Sequence, residues 1–311
     1  MDISNLAVSF IGAGNYATGT LLPLLSRLQS VRFQGICTAS GLRARDVGER
    51  FGFHFCCGEP GDLLGADTDV VFIASPDHTH AELVAQSLSA GKHVFTEKPL
   101  CVKREQLAAV ADAAVLAPGH LCVGFNRGFA PLTAAALDFL AASSGPTLVT
   151  IRVNAGPLDP TNWVERADIG HGRIINEACH FIDLSATLCG ALPVRVAVRA
   201  TASERPPRLA DNVAIYLAMA NGSVAIVIYT SAGGKTMPKE RIEAFRGGRS
   251  IVIDDFRTAL LHSSNKTSHA GRGRQARGDR TGDQPAAGGE REAWLSLREV
   301  GEALPSVCLA R

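Results

Sequence analysis

From Leu6 to about Asn126, short apolar and β-branched runs alternate with longer stretches of helical periodicity. The runs are Leu6–Ile11, Arg32–Thr38, Asp69–Ala74, His93–Thr96 and Leu121–Phe125. Strands alternating with helices in this way are the signature of βαβ units wound into a parallel sheet. Between the runs, Thr79–Ala90 reads as a helix that Thr79 caps and Gly91 terminates, and Lys103–Leu116 as one that closes before Pro118. This half predicts a doubly wound α/β domain.

The texture then changes. A helical stretch near Pro131–Ala142 leads to strict alternation, with Val194, Val196 and Val198 set against Arg195, Ala197 and Arg199, which predicts a strand with one wet and one buried face. Asn221-Gly222 should join Val213–Met219 to Ser223–Thr230, and Gly247-Gly248 should join Arg241–Phe245 to Ser250–Asp254, as glycine-rich hairpin turns do. Within Gly170–Gly190, Ile174, Ile175, Ala178, Phe181, Ile182 and Leu188 form an apolar stripe, predicting a helix laid over this second, mainly antiparallel, open sheet. Ser263 to Gly289 is rich in Gly, Arg, Ser and Asp and nearly free of large apolar residues, which reads as a flexible tail. The expected organisation is therefore 1–127 as the α/β domain, 128–262 as an α+β domain, and 263–311 as a tail with a short helix at Ala293–Leu304.

Composition narrows the partners. With 311 residues and 46% hydrophobic content, the chain is long enough for two cores. The 31 basic and 30 acidic residues nearly cancel, so no global field draws it to nucleic acid or an anionic membrane. The arginines of the tail lack interleaved aromatics for base stacking. Eight cysteines, at 37, 56, 57, 101, 122, 179, 189 and 308, show no CxxC spacing and mostly sit in apolar runs, which reads as reduced thiols in a cytoplasmic protein. Met1–Leu6 lacks the basic start of a signal segment, the next apolar run breaks at Gly12 and Gly14, and no span has the length of a membrane helix.

Three constellations carry chemistry. Gly12-Ala13-Gly14-Asn15-Tyr16-Ala17 sits between a strand and a helix, where close backbone approach brings a pyrophosphate onto a helix N-terminus, the Rossmann arrangement for a dinucleotide. The next strand ends Cys37-Thr38-Ala39-Ser40 with no acid to take a ribose 2′-hydroxyl, and Arg43 and Arg45 follow; NAD or NADP is expected, with a lean to NADP. Second, Thr96-Glu97-Lys98-Pro99 ends a strand at the ligand-binding edge of such sheets. Lys98 either pairs with Glu97 or orients a substrate oxygen and steadies its developing charge. Third, Asn176 and His180 lie one helical turn apart in Asn176-Glu177-Ala178-Cys179-His180-Phe181-Ile182-Asp183. His180 reads either as a satisfied core residue or as a group that takes a hydroxyl proton. Ser75, Pro76, His78 and His80 read as a cofactor-contacting loop and helix start; no third ligand at a recognisable spacing makes the histidines a metal site.

The order of these motifs, with Ala74-Ser75-Pro76-Asp77-His78, Glu97-Lys98-Pro99, Gly124-Phe125-Asn126-Arg127 and Gly172-Arg173 running into His180, resembles the Gfo/Idh/MocA oxidoreductases over about residues 5 to 260. The resemblance implies hydride movement between C4 of a nicotinamide and a secondary alcohol carbon of a sugar, cyclitol or nucleotide-sugar. Lys98 would match the catalytic lysine and His180 the acid/base histidine. Asn176 stands where many members carry an aspartate, which leaves His180 to act alone or with Glu177. Trp163, Arg173 and Arg127 would border the substrate, and the second sheet would mediate a homo-oligomer. Asn176 and the unusual tail also motivate an alternative, a non-catalytic dinucleotide-binding regulator of the same fold.

Overall fold

The computed structural model describes residues 5–159, 161–166, 170–202 and 209–271. It divides into two compact units, with the break between Gly124 and Phe125.

The first unit runs β1 (Leu6–Ile11), α1 (Leu22–Leu25, continuing a π-helical turn at Ala17–Leu21), β2 (Val31–Cys37), α2 (Gly41–Phe51), β3 (Phe55–Cys57), α3 (Pro60–Leu64), β4 (Val70–Ile73), α4 (His80–Ser89), β5 (His93–Thr96), α5 (Arg104–Leu116) and β6 (Leu121–Val123). The six strands pair in parallel in the order β3-β2-β1-β4-β5-β6. Chain order reverses between β1 and β4, and ligands of such sheets bind at the carboxyl ends of the strands there. Both faces are packed: Phe10 stacks on Phe72 at 4.9 Å on one side, while Ile11, Ile73, Leu63, Val84 and Leu88 fill the other. Each such side chain contributes roughly 1.5–3 kcal/mol on burial. Strand β3 has only three residues, too few for a periodicity. Thr79 occupies the cap position of α4, but its hydroxyl pairs with Ser75 Oγ and the Pro76 carbonyl instead of the helix N–H groups.

The second unit comprises α6 (Pro131–Ala141), β7 (Leu148–Asn154), α7 (Cys179–Cys189, entered through a π-helical turn at Ile174–Ala178), β8 (Pro193–Ala200), β9 (Asn212–Met219), β10 (Val224–Thr230), β11 (Glu240–Arg246), β12 (Arg249–Asp254), β13 (Thr258–Ser263) and β14 (Lys266–Gly271). Its sheet has the order β14-β13-β12-β11-β7-β10-β9-β8, antiparallel except where β10 meets β7. The pattern thus predicted both sheets correctly: one doubly wound and parallel, one mainly antiparallel. Helix α7 packs on β7 and β10, and α6 on β12 and β13. The Gly247-Gly248 hairpin forms with Arg246 opposite Arg249; the Asn221-Gly222 turn is one residue longer, closed by the Met219 N–H donating to the Ser223 carbonyl.

Three expectations need correction. The valines of β8 are not buried: Val194, Val196 and Val198 are 71%, 56% and 47% exposed, because β8 is the edge strand, outside the strands that α6 and α7 cover. Half of the stripe over Gly170–Gly190 holds, with Ala178, Phe181 and Leu188 buried as expected, and the extra residue of the π turn at Ile174–Ala178 shifts the phase around the rest. Ile174, Ile175 and Ile182 are only half-buried, while Asn176, His180, Leu184 and Leu188 face inward. Order also does not end at Ser263: Lys266–Gly271 pairs with β13 through its main chain despite a polar sequence. The remainder of the expected tail and the Ala293–Leu304 helix lie outside the described residues.

Candidate dinucleotide site and polar cluster

The glycine turn is pinned from two sides. The Gly12 N–H donates to the Cys37 carbonyl at the end of β2 (2.9 Å), and at φ +99° an added Cβ would lie 2.5 Å from the Ala74 carbonyl, just beyond β4. No side chain fits there. Ala13 is buried, whereas Gly14, Asn15 and Tyr16 are exposed where the helix begins. This leaves an open helix N-terminus against a bare backbone, a cradle that fits a pyrophosphate. Arg43 Nε donates to the Ala13 carbonyl (2.7 Å), anchoring its guanidinium beside the turn. Thr38 and Ser40 are tied through the Thr38 hydroxyl, which donates to the Ser40 carbonyl (2.6 Å).

The loops after β4 and β5 are clasped by His80. This residue is 2% exposed, with Nδ1 2.8 Å from the Pro99 carbonyl and Nε2 2.9 Å from the Ser75 carbonyl. Both ring nitrogens are taken by main chain, so His80 braces the loops and offers no ring nitrogen to a ligand; its expected cofactor contact is corrected accordingly. His78 is half exposed beside Asp77, and the Lys98-Pro99 bond is cis. Glu97 lies against Gly124, where a Cβ would come within 2.9 Å of Oε1. Burial pushes the Glu97 carboxyl up to about 7, against the downward pull of the Lys98 charge and its N–H.

In the second unit, Arg173 is 3% exposed and forks onto Glu177, with Nε to Oε1 at 3.1 Å and NH2 to Oε2 at 3.3 Å, while NH1 reaches the Gly156 carbonyl. The Tyr229 hydroxyl donates to the same carboxylate (2.8 Å), and its ring lies under Arg173 at 5.4 Å. Burial raises the Glu177 carboxyl, but its bonds to Arg173 and Tyr229 outweigh this and hold it below the usual range. Glu177 is thus an occupied anion. Asn176 is buried and its amide Nδ2 donates back to the Gly172 carbonyl (3.0 Å). His180, 9% exposed, meets the Phe125 ring edge-on at 5.9 Å. Arg127 pairs with Glu240 and stacks over Phe181 at 4.6 Å; Trp163 is 46% exposed. Sequence reasoning missed Tyr229 and Glu240 as partners. Tyr229 lay within the expected strand Ser223–Thr230, whereas Glu240 lay just before the expected strand Arg241–Phe245, and β11 starts at Glu240. Among the described residues, no group of three or more His, Cys, Asp or Glu side chains is placed to hold a metal, and no helix is long and apolar enough to cross a membrane.

Comparison with known proteins agrees with the two-part fold. Residues 6–125 match the oxidoreductase family with an NAD-binding Rossmann fold, and residues 146–245 match the GFO/IDH/MocA C-terminal domain. The chain is 25% identical over 269 residues to the uncharacterized oxidoreductase YrbE of Bacillus subtilis, covering 83% of this chain and 76% of that one. It is 29% identical over 242 residues to inositol 2-dehydrogenase of Rubrobacter xylanophilus, covering 75% of this chain and 64% of that one. The structure of levoglucosan dehydrogenase in complex with NADH and levoglucosan superposes with a TM-score of 0.73 at 24% identity, over 86% of this chain and 80% of that one. With both halves of the family architecture present in order, the chain belongs to the GFO/IDH/MocA family of oxidoreductases, with an NAD-binding Rossmann fold in its first half.

Proposed function

We propose that this protein is an NAD(P)-dependent dehydrogenase or reductase that moves a hydride between nicotinamide C4 and a secondary alcohol or ketone carbon of a sugar, cyclitol or nucleotide-sugar. The observation that carries the reading is the Gly12 turn, closed against Ala74 and open at Gly14. Gly12, Ala13, Gly14, Asn15 and Tyr16 would hold the pyrophosphate, Thr38, Ser40 and Arg43 the adenosine ribose, and Ser75, Pro76, His78 and Glu97 the nicotinamide half. When bound, the dinucleotide supplies the hydride acceptor or donor.

Lys98 orients the substrate oxygen and steadies negative charge on it. His180 takes the hydroxyl proton in oxidation and returns it in reduction. Glu177 is committed to Arg173 and Tyr229, so it does not assist as a base. Arg173 holds the π turn ahead of His180 through Glu177 and, with the exposed Trp163, would border the substrate. Arg127 anchors its loop through Glu240. The outer sheet face, where Leu148 and Phe245 are register partners and Tyr216 and Ile228 stand exposed, is the surface for a homo-oligomer.

A second reading, a dinucleotide-binding regulator without turnover, is favoured by Asn176, an uncharged amide that donates to the Gly172 carbonyl and can neither take a proton nor offer negative charge. A panel of sugars, cyclitols and nucleotide-sugars assayed with wild type and Lys98→Ala separates the two. Turnover lost in the variant supports the dehydrogenase; coenzyme binding with no turnover on any panel member supports the regulator.

A further inference from the structure

Cys37 and Cys57 end the neighbouring parallel strands β2 and β3 as register partners, and the Cys57 thiol donates to the Ile36 carbonyl next to Cys37 (3.8 Å). Partners in adjacent strands lie about 4.8 Å apart, inside the roughly 4.4–6.8 Å between Cα atoms that a disulfide needs. Cys37 is 2% exposed, whereas Cys57 is only partly buried, which gives a reagent a way in. Cys56 is exposed, and its sulfur is directed to the Ala44 carbonyl. The pair also sits at a mechanical junction. The Cys37 carbonyl accepts from Gly12 N–H, and the Thr38 N–H reaches the Cys57 carbonyl.

We propose that Cys37 and Cys57 are a redox-modification site, forming a reversible intrachain disulfide with glutathione disulfide as co-reactant, and that the disulfide weakens dinucleotide binding at the adjoining Gly12 turn. In the first step the Cys57 thiolate attacks a glutathione sulfur, forming a mixed disulfide and releasing one glutathione thiolate. The Cys37 thiolate then attacks the Cys57 sulfur, forming the intrachain bond and releasing the second. Two protein thiols are oxidised and one glutathione disulfide is reduced to two glutathiones. Turning the Cys57 sulfur from the Ile36 carbonyl onto Cys37 and closing an S–S bond of about 2.05 Å moves the ends of β2 and β3. That movement reaches Gly12 directly, because the glycine has no slack against Ala74. Burial pushes the Cys37 thiol up to about 12 and raises that of Cys57, with Glu59 and Asp62 adding to both; exchange at neutral pH is accordingly slow and calls for long equilibration.

The coupling rests on the dinucleotide reading, whereas the disulfide itself does not. The test equilibrates the full chain in glutathione redox buffers with and without saturating NADH or NADPH, then maps disulfides by differential alkylation and mass spectrometry. A Cys37–Cys57 link is expected, absent in Cys57→Ser and in Cys37→Ala and kept in Cys56→Ser. By reciprocity, coenzyme should shift the thiol–disulfide equilibrium toward the thiols by about tenfold, the order of a typical coupling between sites. A map without this link, or a link elsewhere that survives both variants, overturns the site. A link whose equilibrium coenzyme does not move overturns the coupling. Failure of the reduced chain to bind either coenzyme overturns the coupling together with the dinucleotide reading, while the map still judges the disulfide.

Discussion

Arg127 and Glu240, 113 residues apart in sequence, meet in a two-point ion pair, with Nε 2.9 Å from Oε2 and NH2 2.5 Å from Oε1. The side chains are only 17% and 10% exposed. Loss of one partner strands the other's charge in a dry site, which costs about 3 kcal/mol or more. Glu240→Ala should therefore lower unfolding free energy by that order in urea denaturation, with Glu240→Gln between it and wild type.

Tyr229 and Arg173 together keep Glu177 ionised. A carboxyl held below its unfolded value contributes stability above that value and loses it as pH falls through the folded one. Tyr229→Phe should cost about 2 kcal/mol at neutral pH, as expected for a hydrogen bond to a charged group. Its acid-unfolding limb should also move to higher pH. An unchanged limb would mean that the tyrosine does not hold the charge.

Glu97 has the opposite sign. Its carboxyl is raised from 4.5 to about 7, so the folded state holds a proton that the unfolded chain has lost between those values, and stability falls as pH rises through that window. The full effect is about 3 kcal/mol. Thermal unfolding from pH 4.5 to 7.5 should show this decline in wild type and a flatter profile in Glu97→Gln.

These relationships divide sharply by how much of them the chain spells out. The parallel sheet was legible because its strands are short and apolar, and the Gly12 turn because only glycine fits beneath Ala74. The π turn before α7 was not, since one extra residue per turn leaves no mark on composition, and Ile174, Ile175 and Ile182 of the expected stripe are only half-buried while Ala178, Phe181 and Leu188 are buried. Val194, Val196 and Val198 alternate as a half-buried strand would, but alternation records which side is apolar and not whether anything covers it. His80 reads as part of a cofactor-contacting loop in sequence and braces that loop in the fold, because its two carbonyl partners come from Ser75 and Pro99. Tyr229 and Glu177 stand 52 residues apart, a distance no local pattern crosses.

The exposed sheet face should hold copies of the chain together. Ile228, 47% exposed on β10, is placed to test this: Ile228→Glu should shift the light-scattering mass on gel filtration toward the monomer while leaving the circular dichroism intact. A wild-type mass equal to one chain would remove the proposal.

Arg43 should favour the coenzyme that carries a 2′-phosphate, since its guanidinium is anchored at Ala13 and no acid follows β2. Arg43→Ala is expected to weaken NADPH by about tenfold and NADH much less, a difference of about 1.4 kcal/mol. Equal losses would assign the arginine to the turn alone.

The central claim is most directly tested by titrating the reduced protein with NADH and NADPH in parallel and following nicotinamide fluorescence. Saturable one-to-one binding, tighter for NADPH, is the predicted result; no saturable change with either coenzyme would contradict the dinucleotide site and the oxidoreductase function built on it.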